Sequence, residues 1–216
     1  MTSSRPLALE DRASEGARLS SPSAGRNRDV IAQTLAGLLP DRARVLEIAS
    51  GTGEHALAAV LKRPDLHWTP SDPDARSRAS CDDWAKESGG RIAPALDLDV
   101  MQAGWWQTLP GAVTAIFCAN MIHIAPWRAA EGLFEGAGVL LPDGAPLVLY
   151  GPFLEGGDTA PSNLAFDESL KGRNPEWGVR ALDDVKALAG SHGFSLRQRI
   201  AMPANNLTLV FVKGAP

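Results

Sequence analysis

The stretch Val45-Leu46-Glu47-Ile48-Ala49-Ser50-Gly51-Thr52-Gly53-Glu54-His55, followed at once by Ala56-Leu57-Ala58-Ala59-Val60-Leu61, decides how this chain is read. Its apolar start predicts a strand, its two glycines a tight turn, and its Ala- and Leu-rich end a helix. Gly51 and Gly53 allow a sharp turn and close approach to a ligand, and the helix start behind them offers unpaired N–H groups. Turns of this build hold nucleotide-like cofactors.

Two cofactor classes compete for this turn. Gly51-x-Gly53-x-x-Ala56 fits the dinucleotide pattern. Glu47 shifts the balance, because a carboxylate inside the strand repels a phosphate and suits a cation. S-adenosylmethionine carries a sulfonium and an ammonium group and no phosphate. The arrangement E-x-x-x-G-x-G therefore looks like the first motif of class I methyltransferases. Ala49, Ser50, Gly51 and Gly53 would then be the turn residues at the cofactor, with His55 bordering it.

The next acids agree with that reading. His67–Ser71 predicts a second strand ending at Asp72, about 20 residues past the turn, where an acid accepts the ribose hydroxyls of either cofactor. A third strand, Ile92–Leu96, ends at Asp97, with Asp99 close behind. An acid there commonly binds the adenine amino group in methyltransferases, and Asp97 is the preferred candidate. Turn formation or helix capping is the alternative for any one of these acids taken singly.

Composition narrows the partners. The chain has 216 residues, 44% hydrophobic and 21% charged, ordinary values for a soluble domain. Its net charge of −4 and its scattered 21 Lys and Arg give no footprint for nucleic acid, so a small-molecule substrate is expected. No stretch approaches a membrane span, and the first 25 residues hold no apolar signal-like run, so a cytoplasmic protein is expected. Cys81 and Cys118 imply no disulfide framework, and the histidines at 55, 67, 123 and 192 show no metal-ligand spacing; no metal is predicted.

Along the chain, residues 1–22 read as a mobile tail and residues 23–216 as a single domain. A helix is expected from Gly25 to Leu39. Strands and helices then alternate: Arg44–Ala49, Glu54–Lys62, His67–Ser71, Asp74–Ser88, Arg91–Leu96, Ala103–Leu109 and Ala112–Ala119. Such alternation predicts an α/β fold, a parallel sheet with helices on both faces. Pro126 opens a helix running towards Leu141, and Pro146–Tyr150 forms the fifth strand. Residues 151–181, rich in Gly, Pro and Asn, break the rhythm as an insertion on the edge where ligands bind. A helix, Leu182–His192, and two strands, Ser195–Ala201 and Leu207–Lys213, complete the pattern.

Several segments together carry a family resemblance. They are Arg26-Asn27, Leu46–Gly53, Ser71-Asp72, Cys118–Trp127, Tyr150-Gly151-Pro152-Phe153, Ser162-Asn163-x-x-Phe166-Asp167, Trp177-Gly178-Val179-Arg180 and Met202–Leu207. From about residue 23 to 213 the chain resembles the DUF938/UPF0585 group, whose animal members are called methyltransferase-like protein 26. The resemblance implies a Rossmann-like class I methyltransferase fold, with a seven-stranded, mostly parallel sheet whose last strand is antiparallel. It implies no particular substrate. At Asp143-Gly144-Ala145 a second glycine would be more typical, a departure confined to a turn.

Methyl transfer is an in-line displacement from an already activated methyl group, so positioning matters most and a base is needed only if the acceptor must lose a proton. Asn120, at the end of the fourth parallel strand, is a candidate to hold the acceptor or the methionine part of the cofactor. His123 is either a base or a packed residue near the following helix. Tyr150 is either a proton acceptor or a buried ring with a satisfied hydroxyl. Arg26 is a candidate partner of the cofactor carboxylate. Asn27 is assigned to the substrate side with Asn163, Trp177 and Arg180 of the insertion, where Arg180 either meets an anionic acceptor or pairs with Asp167. Trp105, Trp106 and Trp127 read as packing residues.

The sequence thus predicts a methyltransferase that uses S-adenosylmethionine on a small molecule and releases S-adenosylhomocysteine. A non-catalytic module binding these ligands, and an NAD-dependent dehydrogenase, remain as alternatives. The oligomeric state is not legible.

Overall fold

The computed structural model describes residues 12–214. Six strands form the main sheet: β3 (Arg44–Ile48), β4 (His67–Ser71), β5 (Ala115–Ala119), β6 (Pro146–Pro152), β7 (Phe194–Met202) and β8 (Asn206–Lys213). Their order is β4-β3-β5-β6-β8-β7, and only β8 runs against the rest. The last strand is therefore antiparallel, as expected, but the sheet has six strands and not seven. The missing one is Ile92–Leu96, which touches β4 only through the single bridges Trp68↔Ile92 and Ser71↔Leu96. Pro70 and Pro94 have no N–H to donate, so the ladder breaks between the bridges.

The register divides the strand residues between two cores. Leu46, Ile116, Leu147 and Phe211 form one row across the sheet. They pack under α4 (Trp127–Leu140) and α6 (Leu182–Ser191) through Leu133, Phe134, Val185 and Ala189. The next row, Glu47, Phe117, Val148 and Val210, faces the opposite way. That face is covered by α1 (Pro22–Leu38) and α2 (Glu54–Lys62) through Ile31, Leu35, Leu57 and Val60. One carboxyl thus stands in an otherwise apolar row, a costly position that needs an explanation. Trp105 packs as expected: its indole donates to Gly132 O of α4 at 2.9 Å. The segment around it forms only a short 3-10 turn, Trp105–Thr108, in place of the expected longer helix.

Two expectations are corrected here. Within the expected tail, residues 12–21 dock on the domain as a hairpin, β1 (Ala13–Glu15) paired with β2 (Arg18–Ser20), and α1 starts at Pro22. Leu19 is only 2% exposed, and its N–H donates to Ser80 Oγ on α3 (Ala75–Ala85) at 2.8 Å. Residues 1–11 lie outside the described residues. The insertion carries a helix, α5 (Pro161–Arg173), and is closed by a bridge between Leu154 and Ala181. Among the described residues no helix is long and apolar enough to cross a membrane.

Candidate functional site

At the end of β3 the chain enters the glycine turn. Ala49, Gly51 and Gly53 all have positive φ, at 56°, 60° and 90°. Gly53 is required twice over, since a Cβ there would also lie 2.8 Å from the Cα of Cys81. Ala49 adopts the left-handed conformation without being glycine, a local strain of the kind found at ligand sites. Ser50 and Ser71 tie the turn to β4: Ser71 N–H donates to Ser50 Oγ at 3.0 Å, and Ser71 Oγ donates to Glu47 O at 2.6 Å.

Asp72 meets the turn from the end of β4. Its Oδ2 accepts the Gly51 N–H at 3.0 Å and its Oδ1 accepts the Asp74 N–H at 2.9 Å. Burial raises its pKa against these two bonds. Each oxygen retains a second lone pair for a hydroxyl donor, although Asp72 is 8% exposed and stands behind Gly51 and not in the cavity lining.

Glu47 lies deeper than the sequence implied. It is 1% exposed, does not line the cavity, and its Oε2 accepts the Trp68 indole N–H at 2.9 Å. Desolvation lifts its pKa to about 7, although the bonds from Trp68 and Ser50 oppose that shift. His55 stands between Glu47 and the cavity, with Nδ1 3.9 Å from Glu47 Oε1. Burial, helped by Arg28, lowers the His55 pKa to about 4, so this pair is a neutral imidazole above a carboxyl group that titrates near neutrality.

The cavity measures about 140 Å³. Its floor is the glycine turn from Ala49 to Thr52, and one wall is the start of α1, including Asn27. His55, Ala119, Asn120 and Ile124 form the other side, and Arg12 reaches in from the hairpin. Glu54 fastens these parts: it accepts the Ser21 N–H at 2.9 Å, the Thr52 hydroxyl at 2.9 Å and Arg28 at 3.2 Å.

Several expected site residues stand elsewhere. Asp97 is 72% exposed at its side chain and pairs with Arg78 at 3.0 Å, outside the cavity. Leu96 before it is bridged to Ser71 at the end of β4, so Asp97 stands beside Asp72 at the sheet edge with its carboxylate turned to Arg78 and solvent. Arg26 is exposed on α1 and does not line the cavity. Tyr150 is 2% exposed within the α1-side core, and burial lifts its pKa to about 12. Its hydroxyl has no hydrogen-bond partner among the described residues and does not line the cavity.

His123 likewise does not line the cavity. It is 1% exposed, and burial with the nearby Arg180 charge lowers its pKa to about 3. Its Nδ1 accepts the Arg180 backbone N–H at 3.2 Å and its carbonyl accepts the Gly178 N–H at 2.9 Å. With Nδ1 accepting, the proton of the neutral ring belongs on Nε2. That edge presses on the chain at Gly151, where a Cβ would lie 2.8 Å from Nε2 and 3.0 Å from Asn120 Oδ1.

The insertion residues do not line the cavity over the glycine turn; Asn163 and Trp177 brace the fold, while Gly178, Val179 and Arg180 border a separate depression with Trp127 and Leu154. Asn163 Nδ2 donates to the carbonyls of Phe153 and Asn205 at 3.3 and 3.0 Å. Trp177 packs with Leu170 and Val179 in a small separate core. Arg180 donates to the carbonyls of Ile122, Ala125 and Glu176 at 2.8, 2.7 and 2.9 Å, and lies 5.6 Å from the Trp127 ring centroid. Asp167 pairs with Lys171 at 2.6 Å, not with Arg180.

Sequence reading missed Arg12 and Glu54. The signal for Glu54 was a charged residue at the first position of an otherwise apolar helix. The signal for Arg12 was faint: Gly16 between two short runs of three residues.

A sheet of this order, with a glycine turn and a strand-end acid at its carboxyl edge, has the fold of the class I methyltransferases. Solved structures share the fold. An O-methyltransferase family protein from Burkholderia thailandensis superposes with a TM-score of 0.74 at 16% identity, over 89% of this chain and 57% of that one. The calicheamicin biosynthesis methyltransferase CalO1, in its S-adenosylhomocysteine-bound form, gives 0.74 at 15%, over 89% and 54%. An O-methyltransferase family 2 protein from Planctomyces limnophilus, in complex with apigenin, gives 0.72 at 19%, over 88% and 60%. The chain therefore spans between 54% and 60% of the length of these three proteins.

Residues 18–213 match the family described as "Protein of unknown function (DUF938)", and the chain belongs to that family.

Proposed function

We propose that this protein binds S-adenosylmethionine at the glycine turn and transfers its methyl group to a small molecule. The observation that carries the reading is the cavity over Ala49–Thr52, with Asp72 behind Gly51 and Asn120 on the opposite side. Asp72 receives the ribose hydroxyls on its spare lone pairs. The buried Glu47 carboxyl offers negative charge beneath the cationic end of the cofactor, while His55 separates the two. Asn120 fixes the acceptor or the methionine part through its amide, and Ala119 and Ile124 offer it an apolar surface. No step is assigned to His123 or Tyr150 as a base; the acceptor reacts as an already strong nucleophile or loses its proton to solvent.

The test is incubation with methyl-labelled S-adenosylmethionine and a library of small hydroxyl, amino and thiol compounds. Label transfer that Asn120→Ala abolishes, with S-adenosylhomocysteine binding retained, is the expected result. The second reading, a module that binds the cofactor without catalysis, draws support from the two buried, non-basic candidates. It prevails if every acceptor fails while the adenosyl ligands bind tightly. The dehydrogenase reading draws on the spacing Gly51-x-Gly53-x-x-Ala56 alone.

A further inference from the structure

We propose that Arg12 is a cofactor-contacting residue that closes the nucleoside end of the site, held there by the hairpin. This inference rests on the proposed cofactor. Among the described residues Arg12 is the one formally charged side chain lining the cavity, its Nη2 lying 3.6 Å from where a Cβ on Gly51 would stand. Its Nη1 donates to Ser77 Oγ at 3.3 Å, and its charge favours the ionised form of Asp72. Gly51, Asp72 and Ser77 together mark the ribose end of the cofactor, away from Asn120. Among the described residues Nη2 has no hydrogen-bond partner, so a planar fork of donors is offered to the ribose oxygens and purine face.

Arg12 precedes β1 and adds nothing to the pairing of the hairpin strands. Other residues do the anchoring. Arg18 pairs with Asp83 at 2.8 Å and with Glu87 at 2.6 Å, and lies 4.1 Å over the Trp84 ring. The Trp84 indole donates to Leu19 O at 2.9 Å. Ser80, which accepts from Leu19, donates its own hydroxyl to Thr52 O of the glycine turn at 2.7 Å. The hairpin, α3 and the turn are thus one connected unit, and Arg18 acts as a positioning residue for Arg12.

Calorimetric titrations with S-adenosylhomocysteine and with 5′-methylthioadenosine, which lacks the amino-acid chain, separate the possibilities. Arg12→Gln is expected to weaken both ligands about tenfold and to a similar extent, the scale of one lost charged hydrogen bond. Arg18→Ala is expected to weaken both by a smaller factor, and the double variant no further than Arg12→Gln alone. Thermal melts of each variant verify folding, and Arg12→Lys, which keeps the charge but not the fork, gives an intermediate loss. Weakening of S-adenosylhomocysteine alone would move Arg12 to the carboxylate end and overturn the proposal, as would unchanged binding of both ligands. A folded wild type that binds neither would instead overturn the cofactor assignment itself.

Discussion

The two sides of the sheet's carboxyl edge use polar residues in opposite ways. Around the glycine turn, side chains are held with capacity to spare: Asp72 keeps open lone pairs, Arg12 Nη2 has no hydrogen-bond partner among the described residues, and Asn27 and Asn120 line open space. Around the insertion, polar groups spend their capacity on the protein itself. Arg180 gives three bonds to backbone carbonyls, Asn163 two, and Asp167 holds the Val179 N–H at 2.9 Å. Both regions look equally polar in sequence. How much of its bonding capacity a side chain spends on the protein's own backbone, and not polarity, separates the two regions.

The sharpest break is expected at the turn itself. Gly53→Val places a side chain against the Cys81 backbone at a φ of 90°, and should cost about 2 kcal/mol or more of stability together with ligand binding. Chemical denaturation and calorimetry on one preparation measure both. On the other side, Arg180→Ala should cost about 2 kcal/mol of stability through the carbonyls it leaves bare, yet keep S-adenosylhomocysteine affinity within about twofold. A large loss of affinity with little loss of stability would put Arg180 in the site and erase the contrast.

The buried titratable groups give a subtler test. His123 has its pKa lowered from 6.5 to about 3, so the unfolded chain binds its proton first. That stabilising contribution is complete above about pH 6.5 and is lost as the pH falls towards 3, with a slope of up to about 1.4 kcal/mol per pH unit. Glu47 works in the opposite sense. Its pKa is raised from 4.5 to about 7, so its contribution is complete below pH 4.5 and is lost as the pH rises through 7. Urea titrations across pH should show His123→Gln flattening the acid limb and Glu47→Gln gaining on wild type as the pH rises through that window. An unchanged acid limb in His123→Gln would mean that this ring is not buried neutral. The smallest effect is expected for Ala49→Gly, which relieves the left-handed strain and should raise stability by about 1 kcal/mol or less.

Much of this was legible from local pattern. Leu46–His55 announced its strand, turn and helix because apolar runs and glycines act over a few residues. The position of Asp72 at the end of β4, beside the glycine turn, followed from spacing alone. What failed depended on partners distant in sequence. Ile92–Leu96 reads as a strand until Pro70 meets it across the gap, and Leu19 is an unremarkable leucine until Ser80 and Trp84 enclose it. Helix α5 buries Asn163, Asp167 and Leu170, a mixed stripe with no hydrophobic period to detect. His123 was open to two readings because a histidine's role depends on whether its ring faces water, which its neighbours in sequence do not determine.

The central claim, that the glycine turn is an S-adenosylmethionine site, is tested most directly by titrating wild type and Asp72→Ala with S-adenosylmethionine, S-adenosylhomocysteine and NAD. The account predicts that both adenosyl ligands bind wild type, that the variant loses at least about tenfold in affinity for each, the scale of bonds to a charged group, and that NAD gives no heat. Binding of NAD in their place, or adenosyl binding that Asp72→Ala leaves intact, would contradict it.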